Sequence, residues 1–315
     1  MDIDSLVPLN TIDCKQGAIR AVRYNIDGTY CITCGADKKL KLWNVHKSLL
    51  LKTYGGHANE VLDAAGSCDS SQILSGSSDK SVILWDVASG LPTRRLRGHA
   101  SSVSCVKFNE ESTLAISGSH DNTVMCWDLK SRRQQPVQVL KEAKDSISSL
   151  VVSDHEIISA SLDGRIRKYD LRAGELITDC IGKSITHIEI TRDDQCYLAA
   201  CADSTLRLMD KSSGELLSEY VGHNTQDFAV ECAIMYSDNF IISGTTEGSI
   251  IIWDLLSSKE IKKLHREESS IKSVIPTLVS HPKKNEILSA CRGEVTLWGI
   301  LDTTIVEVEE SQALI

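Results

Sequence analysis

The chain has 315 residues, 42% of them hydrophobic, with a formal charge of −9 and eleven cysteines. Such an apolar fraction can build a sizeable core, while the acidic balance argues against a general nucleic-acid binder, since phosphate affinity needs clustered Lys and Arg. No apolar run reaches the roughly 18 residues that span a bilayer, and Met-Asp-Ile-Asp-Ser is acidic where a secretory signal would be basic and then apolar.

The stretch Leu6–Asp13 reads as a strand that precedes the first unit's inner strand at residues 18–24. From there the chain repeats. Trp43, Trp85 and Trp127 lie 42 residues apart, and equivalent positions follow at Tyr169, Met209, Trp253 and Trp298. Each closes a short run of Val, Ile and Leu bounded by Gly, Ser, Asp or Asn, which is strand-and-hairpin chemistry. A period of about 40–45 residues ending in Trp-Asp marks a propeller blade of four strands. The fold class is therefore all-β, a seven-bladed β-propeller of WD repeats. Residues 1–299 form one ring, closed by Leu6–Asp13 in the last blade beside residues 289–298, so that no long sheet edge stays open. Residues 300–315 read as an acidic tail that frays.

Six residues before each Trp position stands an acid: Asp37, Asp79, Asp121, Asp163, Asp203 and then Glu247. Ten residues before it a hydroxyl recurs, as Thr33, Ser75, Ser117, Ser159 and Ser243. A buried carboxylate is costly unless hydrogen-bonded, so we expect the Gly-His histidine, the hydroxyl and the indole to hold it. Two complete tetrads result: His57, Ser75, Asp79, Trp85 and His99, Ser117, Asp121, Trp127. Blade six keeps His223, Ser243 and Trp253. Blades four and five lack the indole, and blade seven carries Arg292 in place of the acid. These departures read either as drift in a ring braced by its neighbours or as places where a partner supplies rigidity.

Candidates for chemistry are few. Ser119-His120-Asp121 points its side chains to different faces and cannot align a nucleophile, base and orienting acid. Cys31 and Cys34 place their sulfurs on opposite faces of one strand, with no second pair at zinc-site spacing. Cys31, Cys105, Cys126, Cys196 and Cys201 read as small apolar core residues with reduced thiols. Asp154-His155-Glu156 reads as a solvated turn. No phosphate-cradling loop is present, so no enzyme activity, metal or cofactor is expected. A propeller of this kind is expected to act as a monomeric protein-binding platform away from membranes.

For partner binding, the residue before each turn acid should sit on the top rim. These are Ala36, Ser78, His120, Leu162, Ala202 and Thr246, of which His120 and Leu162 are the largest. A second candidate is Lys130–Val139, where Arg132 and Arg133 precede Val137 and Val139. It resembles a kinase docking motif, in which cations meet an acidic groove and alternate apolar side chains fill pockets.

The strings Leu162-Asp-Gly-Arg-Ile-Arg-Lys-Tyr-Asp-Leu-Arg172 and Asp203-Ser-Thr-Leu-Arg-Leu-Met-Asp-Lys211 fall outside the generic repeat pattern. With Arg20–Asn25, Glu60–Ser67 and Val152–Ile157 they resemble the mitogen-activated protein kinase organizer family over about residues 9–298. That resemblance implies a non-enzymatic scaffold for extracellular-signal-regulated kinase modules in the cytoplasm. It also implies association with spliceosomal proteins in the nucleus, and contact with a prolyl hydroxylase that controls the hypoxia-inducible factor. The Tyr169 and Met209 departures then become family traits. An alternative is a splicing subunit that meets RNA or RNA-bound proteins through a basic rim of Arg94, Arg95, Arg132 and Arg133.

Overall fold

Among the described residues the repeated apolar runs form strands, which assemble as seven four-stranded antiparallel sheets. The computed structural model describes residues 3–131, 133–153, 155–225, 228–265 and 273–300. Blade two shows the plan: Val61–Gly66 is innermost, then Gln72–Ser77, Ser81–Asp86 and Pro92–Arg97 at the outer edge. In the last blade Leu6–Asp13 pairs antiparallel with Glu294–Ile300, so the first strand closes the ring. That third strand runs through Ile300, one residue beyond the expected boundary; the acidic tail from residue 301 lies outside the described residues.

The core lies between blades rather than within them. One apolar cluster joins Ala21, Ile32, Leu40 and Tyr54 of blade one to Val61, Ile73, Ile83 and Trp85 of blade two, and six equivalents complete the circle. Period-two alternation explains this, because each inner sheet is buried on both faces. Cys31 and Cys34 fall into different clusters, on opposite faces of their strand as expected. Eight of the eleven cysteines are buried, whereas Cys196 is half-buried.

One irregularity recurs. The innermost strands of blades one to five each carry a one-residue register shift near the top. In blade two Val61 faces Ser77 and Asp63 faces Gly76, which leaves Leu62 unpaired. The unpaired residues of the other four are Arg20, Ser104, Ser148 and Thr186. A bulge re-aims a side chain, and here it turns five of them into the channel mouth.

Candidate interaction face

The tetrads form, but as relays. Trp85 Nε1–H donates to Ser75 Oγ at 2.8 Å, Ser75 lies 2.8 Å from His57 Nε2, and His57 Nδ1 lies 2.9 Å from Asp79. The indole therefore reaches the acid only through serine and histidine, and does not hold it directly. Burial pushes the His57 pKa down despite Asp79, so the ring is neutral with its Nδ1–H on the carboxylate. Burial opposes ionisation of Asp79 as well. Bonds from Ser81, the Ala58 amide and His57 prevail and hold its pKa at about 2. Blade three repeats the geometry: Trp127 to Ser117 at 2.8 Å, Ser117 to His99 at 2.8 Å, His99 to Asp121 at 3.0 Å.

Elsewhere the wiring differs from the sequence pattern. In blade one, buried Gln16 replaces histidine, linking Thr33 to Asp37 (3.2 Å from its Nε2), while Trp43 donates to Thr33 at 3.0 Å. Blade six has the right residues and no relay. Trp253 donates to the Val221 carbonyl at 3.0 Å, Ser243 turns to backbone carbonyls, and neither His223 ring nitrogen has a partner. The longer Glu247 lies at the surface 3.5 Å from Lys263, so no buried acid orients the histidine. Blade seven uses Ser289, nine residues before Trp298, at 2.9 Å.

Blades four and five adopt a different lock. Arg167, 2% exposed, donates to Asp163 at 2.6 and 3.3 Å. Arg207 donates to Asp203 at 2.8 and 3.2 Å, and to Glu219 at 2.9 Å. An arginine four residues after the acid thus does what His and Trp do elsewhere, and the turns are braced without a partner.

The top mouth of the channel holds a cavity of about 300 Å³. His120 and Leu162 line it together with the five bulge residues. Val230, Glu231 and Pro276 complete the wall where blades six and seven have no bulge. Ser78 and Thr246 occupy the equivalent turns of blades two and six but do not line the cavity. Deeper in the channel Arg23 meets Glu231 at 2.6 Å and Asp63 at 2.9 Å, tying blade one to blade two and, across the channel, to blade six. His187, beside this network, is pushed down to a pKa of about 4 by burial.

The remaining candidates are occupied by the fold. Ser119 Oγ accepts the Asp121 amide and Asp121 holds His99, so Ser119, His120 and Asp121 form no catalytic line. His155, Glu156 and Asp170 have ligand atoms within 4.8 Å of one another; Glu156, however, pairs with Lys211 at 2.6 Å, and Asp170 caps a turn. Along Lys130–Val139, Val139 packs on the core between blades two and three, and of the two valines only Val137 is exposed, at 54%. The Val137 amide is itself bonded to Cys126, and the Arg133 carbonyl accepts Arg94. Arg132 lies outside the described residues.

Four segments match the family model described as WD domain, G-beta repeat: residues 6–44, 48–86, 90–128 and 214–254. Blades four and five, which use the arginine lock, fall between them. The chain is 58% identical over 287 residues to WD repeat domain-containing protein 83 of Xenopus tropicalis, covering 91% of this chain and 90% of that one. It is 52% identical to the Homo sapiens protein of that name, with 92% and 91% covered. The Dictyostelium discoideum homolog is 34% identical, with 87% and 92% covered. Repeat, ring and relatives agree: the chain belongs to the WD-repeat β-propellers, within the family whose members are named WD repeat domain-containing protein 83.

Proposed function

We propose that the protein is a non-enzymatic scaffold that captures proteins at the top mouth of its ring. The observation that carries this reading is the cavity itself, where exposed His120 and half-buried Leu162 meet five bulge-directed side chains above a rigid framework. Its walls are mainly apolar, with Leu62, Ile147, Leu162, Val230 and Pro276 among them, which suits a protein partner more than a phosphate backbone. The partner classes to which the family resemblance points are kinase-module components, spliceosomal proteins and a prolyl hydroxylase, in cytoplasm and nucleus. Direct RNA binding through the basic rim is the weaker alternative. Arg94 donates to the carbonyls of Asp128, Leu129 and Arg133, and Arg95 to that of Gly56, so both guanidinium groups are already engaged.

The test is reconstitution of the purified ring with recombinant members of each class. One class is expected to bind with one-to-one stoichiometry and without turnover. Leu162→Asp should abolish that complex while the melting temperature stays unchanged; a complex indifferent to this change refutes a top-face site.

A further inference from the structure

The top rim is chemically uneven, and the unevenness specifies a ligand. Lys144 sits between the two large rim residues. Its amide donates to Asp163 at 2.9 Å, and its carbonyl accepts Asn122 at 3.3 Å, which ties it to the turns that carry Leu162 and His120. Lys183 is held on the other side of Leu162, where its neighbour Ser184 donates to the Leu162 carbonyl at 2.9 Å. Both lysines are exposed, and among the described residues neither ammonium has an ion-pair or hydrogen-bond partner. The Asp after five of the seven Trp positions caps a bottom turn, as Asp86, Asp128, Asp170, Asp210 and Asp254. A chain of charge −9 thus presents free cations beside its apolar mouth, where an anionic partner meets complementary charge.

We infer that the mouth between blades three and five docks an extended anionic peptide. One apolar side chain of the peptide seats against Leu162, and flanking carboxylates lie on Lys144 and Lys183. The inference rests on the scaffold reading and gives it a ligand chemistry. A peptide is favoured over single-stranded RNA because among the described residues no Phe, Tyr or Trp lines the cavity to stack a base.

The experiment uses four fluorescent probes. They are a short peptide with one Leu flanked by Glu, its Gln counterpart, a phosphoserine counterpart, and an oligouridylate. Each is titrated into the wild-type chain and into Lys144→Glu/Lys183→Glu, Leu162→Asp, and the control Lys38→Glu/Lys80→Glu, which reverses charge on the turns of blades one and two. The Glu peptide should weaken about tenfold in the blade-four double variant, the size expected when two exposed ion pairs become repulsions. The Gln peptide should bind the wild type equally weakly, and the control should match the wild type. Tighter binding of the Glu peptide than of the phosphoserine peptide supports the carboxylate ligand, and the reverse order overturns it. Equal Glu-peptide affinity in wild type and double variant, no measurable Glu-peptide binding, or oligouridylate binding tighter than both peptides overturns the inference. A reconstituted protein partner separates the two levels: if the double variant still captures it, the ligand chemistry is wrong and the scaffold stands, whereas failure of the wild-type ring to capture any partner sinks the scaffold.

Discussion

Arg167→Met should be among the most destabilising single changes at a blade turn. Arg167 is buried and meets Asp163, itself only 9% exposed, through one short bond of 2.6 Å and one long bond of 3.3 Å. Burial opposes ionisation of Asp163, but Arg167 and the Lys144 amide hold its pKa below the usual carboxylate range. Removing one partner of a buried pair costs about 3–5 kcal/mol when the remaining charge is left alone. Asp163 keeps the Lys144 and Arg165 amides at 2.9 and 3.1 Å, so the cost falls nearer the value of one charged hydrogen bond, about 2–3 kcal/mol. For a chain of this size that is a fall in melting temperature of about 5 °C. The assay is thermal unfolding followed by tryptophan fluorescence, since the tryptophans sit in the core. Hydrogen exchange at the Lys144 and Arg165 amides localises the change. Asp163→Asn combined with Arg167→Met should recover part of the loss, because no bare charge is then left. A melting temperature within about 1 °C of wild type, or a double variant worse than the sum of the singles, refutes the arginine-lock account.

Blade six supplies a pH dependence. Burial pushes the His223 pKa down to about 4, so the unfolded chain takes up a proton below about pH 6.5 while the folded ring does not. His223 should therefore contribute a loss of about 3 kcal/mol as pH drops from about 6.5 to about 4, on top of the losses of the same sign from His187, His57 and His99; His223→Gln should make the slope shallower without removing it, and parallel melting-temperature profiles would contradict it. Ser75→Ala removes the atom between Trp85 and His57 and should cost about 2 kcal/mol, whereas Ser243→Ala in the unwired blade should cost less than about 0.5 kcal/mol. Equal losses in denaturant titration would mean that the relay contributes nothing. Burial pushes the Cys14, Cys105 and Cys126 thiols up to about 12, and only Cys68 and Cys180 are exposed. Native alkylation read by mass spectrometry should label those two quickly and half-buried Cys196 slowly; rapid labelling of a fourth cysteine would show that the packing is wrong.

The ring was legible because its signal is redundant: a third strand must bury a large side chain on the preceding blade, and that need recurs at a fixed period. The closing strand was legible for the same reason, since Leu6–Asp13 has the composition of an outer strand with no blade of its own. Wiring was less legible. Asp163 and Asp203 were recognised as turn acids, but the sequence pattern looks for histidine and tryptophan, and Arg167 and Arg207 stood unread in the very strings that distinguish the family. Blade six shows the converse, where His223, Ser243 and Trp253 are present and unconnected because the turn acid is one methylene longer. The bulges left no compositional mark, since one unpaired residue changes register without changing residue type. The mouth was therefore only half found, through His120 and Leu162 and without Arg20, Leu62, Ser104, Ser148 and Thr186.

The locks and the interaction face are one construction. His120 and Leu162 each precede a turn acid, so the carboxylate that fixes the turn also aims the side chain before it. In blade four this coupling is tightest. Asp163 takes Arg167 from within the blade and the Lys144 amide from the preceding loop, so a single carboxylate positions both the apolar rim residue and the cation beside it. Histidine in this place would be neutral and would leave the carboxylate's charge uncompensated, as at Asp121 with its neutral His99. Arginine compensates it. Lys144 and Lys183 then stand beside a turn acid that is already paired, whereas Asp121 of blade three has its neutral histidine instead. The departure from the tryptophan pattern at Tyr169 thus goes with a turn acid that takes an arginine in place of the histidine relay.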